Sequence, residues 1–150
     1  MVTVDVAVDL GIGLGLEVEE AQEVALLYEA ALDRDLNIDE DGLNFWIDAR
    51  EAGFGIVELA GFFLESSEFE ESFGDVDALS DEAYVDLLYQ NVLDREGDAQ
   101  GVAFWLGELA REDFGRDNLL AAFSISVENA ETSAFIDSLA EVSAGTWAFV

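Results

Sequence analysis

The chain has 150 residues, of which 51% are apolar, and this is enough for one domain with a sizeable core. It contains no Cys and no His, which excludes disulfides, thiolate nucleophiles, the usual zinc sites and His-dependent catalytic triads. Its 35 acids and five Arg give a formal net charge of −30, which excludes nucleic acid as a partner and favours cations or cationic surfaces.

The first segment, residues 1–16, alternates apolar side chains with Thr, Asp, Ala or Gly from residue 2 onwards. A period of two predicts a short N-terminal β-strand with one apolar face. A lone strand is unstable, so the pattern also predicts a partner strand. We expect that partner to be TWAFV at the other end of the chain or the edge of another molecule.

From Glu17 the apolar period becomes helical, and the same stripe occurs twice. The first stripe is Val24, Leu27, Tyr28, Ala31 and Leu32, and the second is Val85, Leu88, Tyr89, Val92 and Leu93. The surrounding text repeats as well, as LLYEAALDRD and LLYQNVLDRE. The repetition predicts an internal duplication, with a first helical repeat at 17–76 and a second at 77–140.

Each repeat is predicted to continue with a second helix, at about 43–52 and 102–111, and then a third that carries FFLESSEF or AFSISVEN. Ser80 precedes DEAYV and is the predicted N-cap that begins the second repeat. The predicted fold class is therefore all-α, with two tandem helical units packed as one bundle. One bundle is expected because each stripe must be buried and the linker is short.

The stretch DRDLNIDEDGLNFW places oxygen donors at alternate positions between the first two helices. The spacing fits an EF-hand-like helix-loop-helix and a Ca²⁺ ion as cofactor. The donors would be Asp33, Asp35, Asn37, the carbonyl of Asp39, Asp41 and Asn44. Ile38 stands where an EF-hand has Gly and Asn44 where it has Glu, so the predicted affinity is weak. The alternative is a solvated turn in which Asp39 or Asp41 caps the next helix.

Arg34 and Arg95 recur at one position in a chain that has only five Arg. We expect each to form a bidentate pair with a nearby carboxylate that ties the loop to a neighbouring helix.

Two aromatic pairs occupy matching places at the start of the second helices. They are Phe45 with Trp46 and Phe104 with Trp105. Paired aromatic residues at helical spacing predict core positions.

The pattern LLY-x-x-x-LDR, a short acidic loop, G-x-x-FW and a helix with S-x-E, present twice, resembles the bacterial domain of unknown function 4214 family. The resemblance covers about residues 20 to 132. It implies a helical fold similar to phycobilisome linker domains, and an extracellular, calcium-associated setting. The signature positions on this resemblance are Asp33, Arg34, Gly42, Phe45 and Trp46, with Asp94, Arg95, Gly101, Phe104 and Trp105.

The function expected from these features is a non-enzymatic, secreted or cell-surface interaction module. Its partner would be a protein, or further copies, in a surface layer or matrix, without nucleic acid or membrane insertion. Residues 141–150 are expected to be a C-terminal tail that resembles type I secretion signals.

Three alternatives remain open at this point. The chain could be an intracellular, cytoplasmic scaffold or linker without metal. It could be a carbohydrate-active enzyme with two carboxylates. The acidity could reflect adaptation to high salt instead of calcium.

Overall fold

The computed structural model describes residues 16–32 and 40–150. Within these ranges eight α-helices precede one antiparallel two-stranded sheet. The helices are α1 (Val18–Leu32), α2 (Glu40–Glu51), α3 (Ile56–Leu64), α4 (Ser67–Phe73), α5 (Asp81–Leu93), α6 (Ala99–Leu109), α7 (Arg116–Ser124) and α8 (Val127–Thr132). Two 3-10 helices, Val76–Ala78 and Ala134–Ser138, connect them to their neighbours, and the strands are β1 (Leu139–Ser143) and β2 (Thr146–Phe149).

The predicted helical character is confirmed, and those stripe residues whose burial the structure describes lie in the core or pack against it. Val24 and Leu27 on α1 and Val85 on α5 are 0% exposed. The centre of the core is formed by α3 and α7, which make the most extensive helix–helix contact and both pack on α1. The predicted EF-hand-like loop and the N-terminal strand lie outside the described residues.

The third helix predicted in each half is in fact two helices. The break falls before Ser67 and before Val127, where the preceding serine is the N-cap of the next helix. Ser66 Oγ accepts a hydrogen bond from the Phe69 N–H at 3.2 Å. Serine ends one helix and starts another because its hydroxyl satisfies an N–H group that would otherwise lack a partner. The predicted N-cap at Ser80 is confirmed, with Oγ accepting from the Ala83 N–H.

The C-terminal residues, expected to be a tail, form part of a β-hairpin. β1 pairs with β2, so the partner of TWAF is the segment that directly precedes it. Gly145 makes the turn with φ of 76°, a left-handed conformation that favours glycine. Trp147 on β2 is 1% exposed. Burial of this large ring explains why the segment folds back onto the helices.

The hairpin is attached to α2 by hydrogen bonds between side chains and backbone. The Trp147 N–H donates to Asn44 Oδ1 at 2.7 Å, and Asn44 Nδ2 donates to the Trp147 carbonyl at 2.8 Å. The Phe149 N–H donates to Glu40 Oε2 at 2.9 Å. On the same helix Leu43 and Ile47 are 0% exposed. The hairpin therefore covers one face of α2.

Replacing Asn44 by Ala is predicted to lower the free energy of unfolding by about 1–3 kcal/mol, because the half-buried N–H and carbonyl of Trp147 lose their partners. The measurement is urea unfolding followed by Trp fluorescence. Asn91→Ala is the matched control, since Asn91 is an exposed helical asparagine. Equal stability of the two variants would contradict the role given to Asn44.

Candidate interaction surface

Most of the predicted calcium donors lie outside the described residues. These are Asp33, Asp35, Asn37 and Asp39, and Arg34 is outside as well. Asp41 is exposed in the first turn of α2, where Gly42 is half-buried. Asn44 Oδ1 accepts the Trp147 N–H. An amide oxygen has a second lone pair, so this bond alone does not prevent Asn44 from binding a cation. The calcium site stays a prediction.

The loop after α5 is held by a bidentate ion pair. Arg95 donates from Nε to Glu128 Oε2 at 2.7 Å and from Nη2 to Glu128 Oε1 at 3.0 Å. The Arg95 guanidinium also lies 5.0 Å from the centre of the Tyr89 ring. These bonds lower the pKa of Glu128 below its ordinary value. The pair ties the loop to α8, which is the arrangement that the sequence predicts for this arginine.

The same loop starts α6 through a carboxylate cap. Asp98 Oδ2 accepts the Gly101 N–H at 3.0 Å, and this bond lowers the pKa of Asp98. Arg95 Nη1 lies 3.6 Å from the Asp98 carboxylate. Asp98 therefore has a structural role at the beginning of the helix.

Two glycines in this region lie against Tyr89. A Cβ at Gly97 would be 2.6 Å from Tyr89 Cδ2 and 2.7 Å from Val102 Cγ2. A Cβ at Gly101 would meet the Tyr89 hydroxyl. The signature glycine, Gly101, thus allows the first turn of α6 to pack closely on Tyr89 of α5, and Gly97 does the same for the loop.

The two aromatic pairs divide between core and solvent. Trp46 lies 4.5 Å from Phe63, and Trp105 lies 5.3 Å from Phe123, in each case between ring centres. Their neighbours are not core residues, because Phe45 is 64% and Phe104 57% exposed. The prediction of four core aromatics is therefore wrong for the two phenylalanines. Successive residues on a helix point about 100° apart, so only one of each pair faces the core.

Helix α6 is the apolar helix that the fold leaves least covered. It has no buried residue, whereas its counterpart α2 has two. Residues 99–107, AQGVAFWLG, carry no charge in a chain of formal charge −30. We call its exposed residues the α6 surface: Ala99, Gln100, Ala103, Phe104 and Gly107.

The difference between the two helices follows from the hairpin. Ala99 and Ala103 stand where α2 has Glu40 and Asn44, the two residues that bind the hairpin backbone. Without those polar side chains, α6 cannot form the hydrogen bonds by which α2 binds the backbone of a strand. Among the described residues, no other element covers this side of α6. Sequence reasoning missed this surface, although the charge-free stretch was a visible signal.

Comparison with known proteins gives one match. The sequence model of the domain of unknown function (DUF4214) matches residues 60–133, from within α3 to just past α8. No curated protein and no solved structure matches the chain. None of the helices in the described ranges has the length and apolar content that crossing a lipid bilayer requires.

Replacing Gly97 by Ala is predicted to lower the free energy of unfolding by about 1–3 kcal/mol, because the new methyl group would overlap Tyr89 and Val102. Gly107→Ala is the matched control within α6. A Cβ there meets nothing within 4 Å, so the variant should gain up to about 1 kcal/mol from helix propensity. Chemical unfolding measures both variants. A Gly97→Ala variant as stable as the wild type would show that Tyr89 is not packed tightly on the loop.

Proposed function

The chain belongs, through residues 60–133, to the family of the domain of unknown function (DUF4214), and from this premise we propose that it is a non-enzymatic interaction module. It docks a protein partner through the α6 surface. The observation that carries the proposal is the exposed side of α6, the α6 surface, which carries no charge on a protein that is otherwise strongly acidic. Exposed apolar patches with a polar surround mark interaction sites on soluble proteins.

The described arginines, which include Arg95 of the family signature, support a structural role for these positive charges. Each described arginine has a carboxylate partner: Arg50 pairs with Glu20, Arg95 with Glu128, Arg111 with Glu108 and Arg116 with Asp81. Because these guanidinium groups are engaged, recognition of the partner falls to apolar contacts at the α6 surface and to the surrounding acids.

The setting we propose is secreted or cell-surface, in a surface layer or matrix, with Ca²⁺ bound by the acidic loop at 33–44. Calcium would act as a folding cofactor, because neutralising clustered acids favours the native state. The matching order of α1 to α4 and α5 to α8 supports an internal duplication. An intracellular scaffold would use the same surface without metal, and the response to calcium separates the two.

Calcium at millimolar concentration is predicted to raise the melting temperature saturably at fixed ionic strength, and Mg²⁺ to raise it less. The variant with Asp33→Ala and Asp35→Ala should lose this response. The matched control carries Glu70→Ala and Glu71→Ala, two exposed acids on α4. If all three proteins respond alike, and NaCl has the same effect, the acidity is general salt adaptation and calcium is not a cofactor.

Two charges on the α6 surface are predicted to release the chain from its native assembly. In Ala103→Glu with Gly107→Glu, docking would bury carboxylates without partners. The measurement is the fraction of the chain that elutes above monomer size in extracts of the producing cells. The control, Gln90→Glu, adds a charge on the exposed side of α5. An assembled fraction unchanged in the α6 variant would contradict docking through this helix.

A further inference from the structure

A pocket of about 130 Å³ opens beside Trp105. Its lining includes Tyr89, Ala122 and Phe123, together with the ion pair of Arg95 and Glu128. Trp105 lies on α6, and its ring centre is 4.9 Å from that of Phe104 on the α6 surface. Partly exposed walls of aromatic rings are typical of sites that bind one apolar group.

The first half of the chain has a larger side chain at the position that corresponds to Ala122. Phe62 stands in the FFLESSEF segment where Ala122 stands in AFSISVEN. The Phe62 ring is stacked near Trp46, with ring centres 6.3 Å apart and an interplanar angle of 29°. In the second half Ala122 stands at this position, and the ring stacked on Trp105 is that of Phe114, with ring centres 6.3 Å apart and an interplanar angle of 26°. Phe114 does not line the pocket, which lies beside Trp105 and Ala122 and is open to a ring from another molecule.

The charge around the pocket determines the rest of the ligand. Asp94, Glu96 and Asp98 lie in the loop next to it, and all three are exposed. Arg95 is paired with Glu128 and also lies 3.6 Å from the Asp98 carboxylate, so this one cation offsets only part of the charge of these acids. A segment that brings Lys or Arg beside its aromatic residue gains from the local field and from the formal charge of −30.

We propose that the pocket beside Trp105 receives one aromatic side chain from a basic segment of a partner protein. This inference rests on the proposed docking function and names the chemistry of the partner. A second copy of the chain is the less suitable occupant, since two molecules of this charge repel each other.

The test uses two end-blocked peptides of equal charge, KKFKK and KKAKK, with binding measured by calorimetry at about 0.15 M NaCl. The wild type should bind KKFKK about tenfold more tightly than KKAKK, since only the first fills the pocket. Ala122→Phe should abolish this preference, because Ala122 lines the pocket and the added ring would fill it. Ala52→Phe, the same change at an exposed position on α2's C-terminal side, should keep it.

Near-ultraviolet circular dichroism checks that the Ala122→Phe variant is folded. Ala122→Met provides a second filling side chain, flexible enough to adapt to the pocket, and the same loss of preference is expected. Equal affinity of the wild type for both peptides would overturn the proposal, because binding would then follow charge alone. Survival of the preference in both Ala122 variants would overturn it as well.

Sedimentation of the chain alone tests the other occupant. If the wild type sediments as a dimer and Ala122→Phe sediments as a monomer, the pocket binds a second copy of the chain, and the proposal of a basic partner protein is overturned. Failure of this proposal is distinguishable from failure of the docking function. If the wild type shows no peptide preference but native assembly is still lost in Ala103→Glu with Gly107→Glu, docking through the α6 surface stands and only the role of the pocket is rejected.

Discussion

Repulsion among 35 acids is the constraint that the rest of the structure must overcome. Apolar burial supplies the cohesion, and the few arginines are placed where elements must be joined. Arg116 on α7 shows this most fully. It donates to the carbonyls of Val76 and Leu79 and to the carboxylate of Asp81, so one side chain fixes the connection between the two halves. Arg50 likewise joins α2 to α1 through Glu20 at 2.9 Å.

The two halves have the same order of helices, but their second helices, α2 and α6, make different contacts. In the first, polar groups on α2 hold a hairpin, and the helix contributes buried residues to the core. In the second, alanines replace those groups and α6 remains open. The positions on α2 that bind the hairpin thus correspond to exposed residues on α6. Beside the tryptophans, Phe62 in one half corresponds to Ala122 in the other, where Phe114 is the ring stacked on Trp105.

Periodic and local signals in the sequence predicted the fold well. The stripes of α1 and α5, the N-cap at Ser80 and an arginine–carboxylate pair at Arg95 each depend on residues close in sequence or on an obvious chemical need. The break before α4 was missed because Phe62 and Phe69 are seven residues apart, which fits one continuous helix, and the period alone does not reveal a cap at Ser66. The hairpin was missed because its stability comes from α2, about a hundred residues away.

The candidate site was predictable only in part. The exposure of Phe104 depends on which face of α6 packs on the core, and this is set by tertiary contacts that the local sequence does not reveal. The absence of charge at 99–107 was readable from the start, but a charge-free apolar stretch also fits a buried helix. The calcium donors at 33–39 have a clear sequence pattern and lie outside the described residues.

Hydroxyl-radical footprinting of the chain in its native assembly and in purified form tests the central claim most directly. Phe45 and Phe104 are corresponding residues with similar exposure, 64% and 57%, so each calibrates the other. Docking through α6 predicts that oxidation of Phe104 falls several-fold in the assembly while that of Phe45 is unchanged. Equal oxidation of Phe104 in both samples would contradict the account.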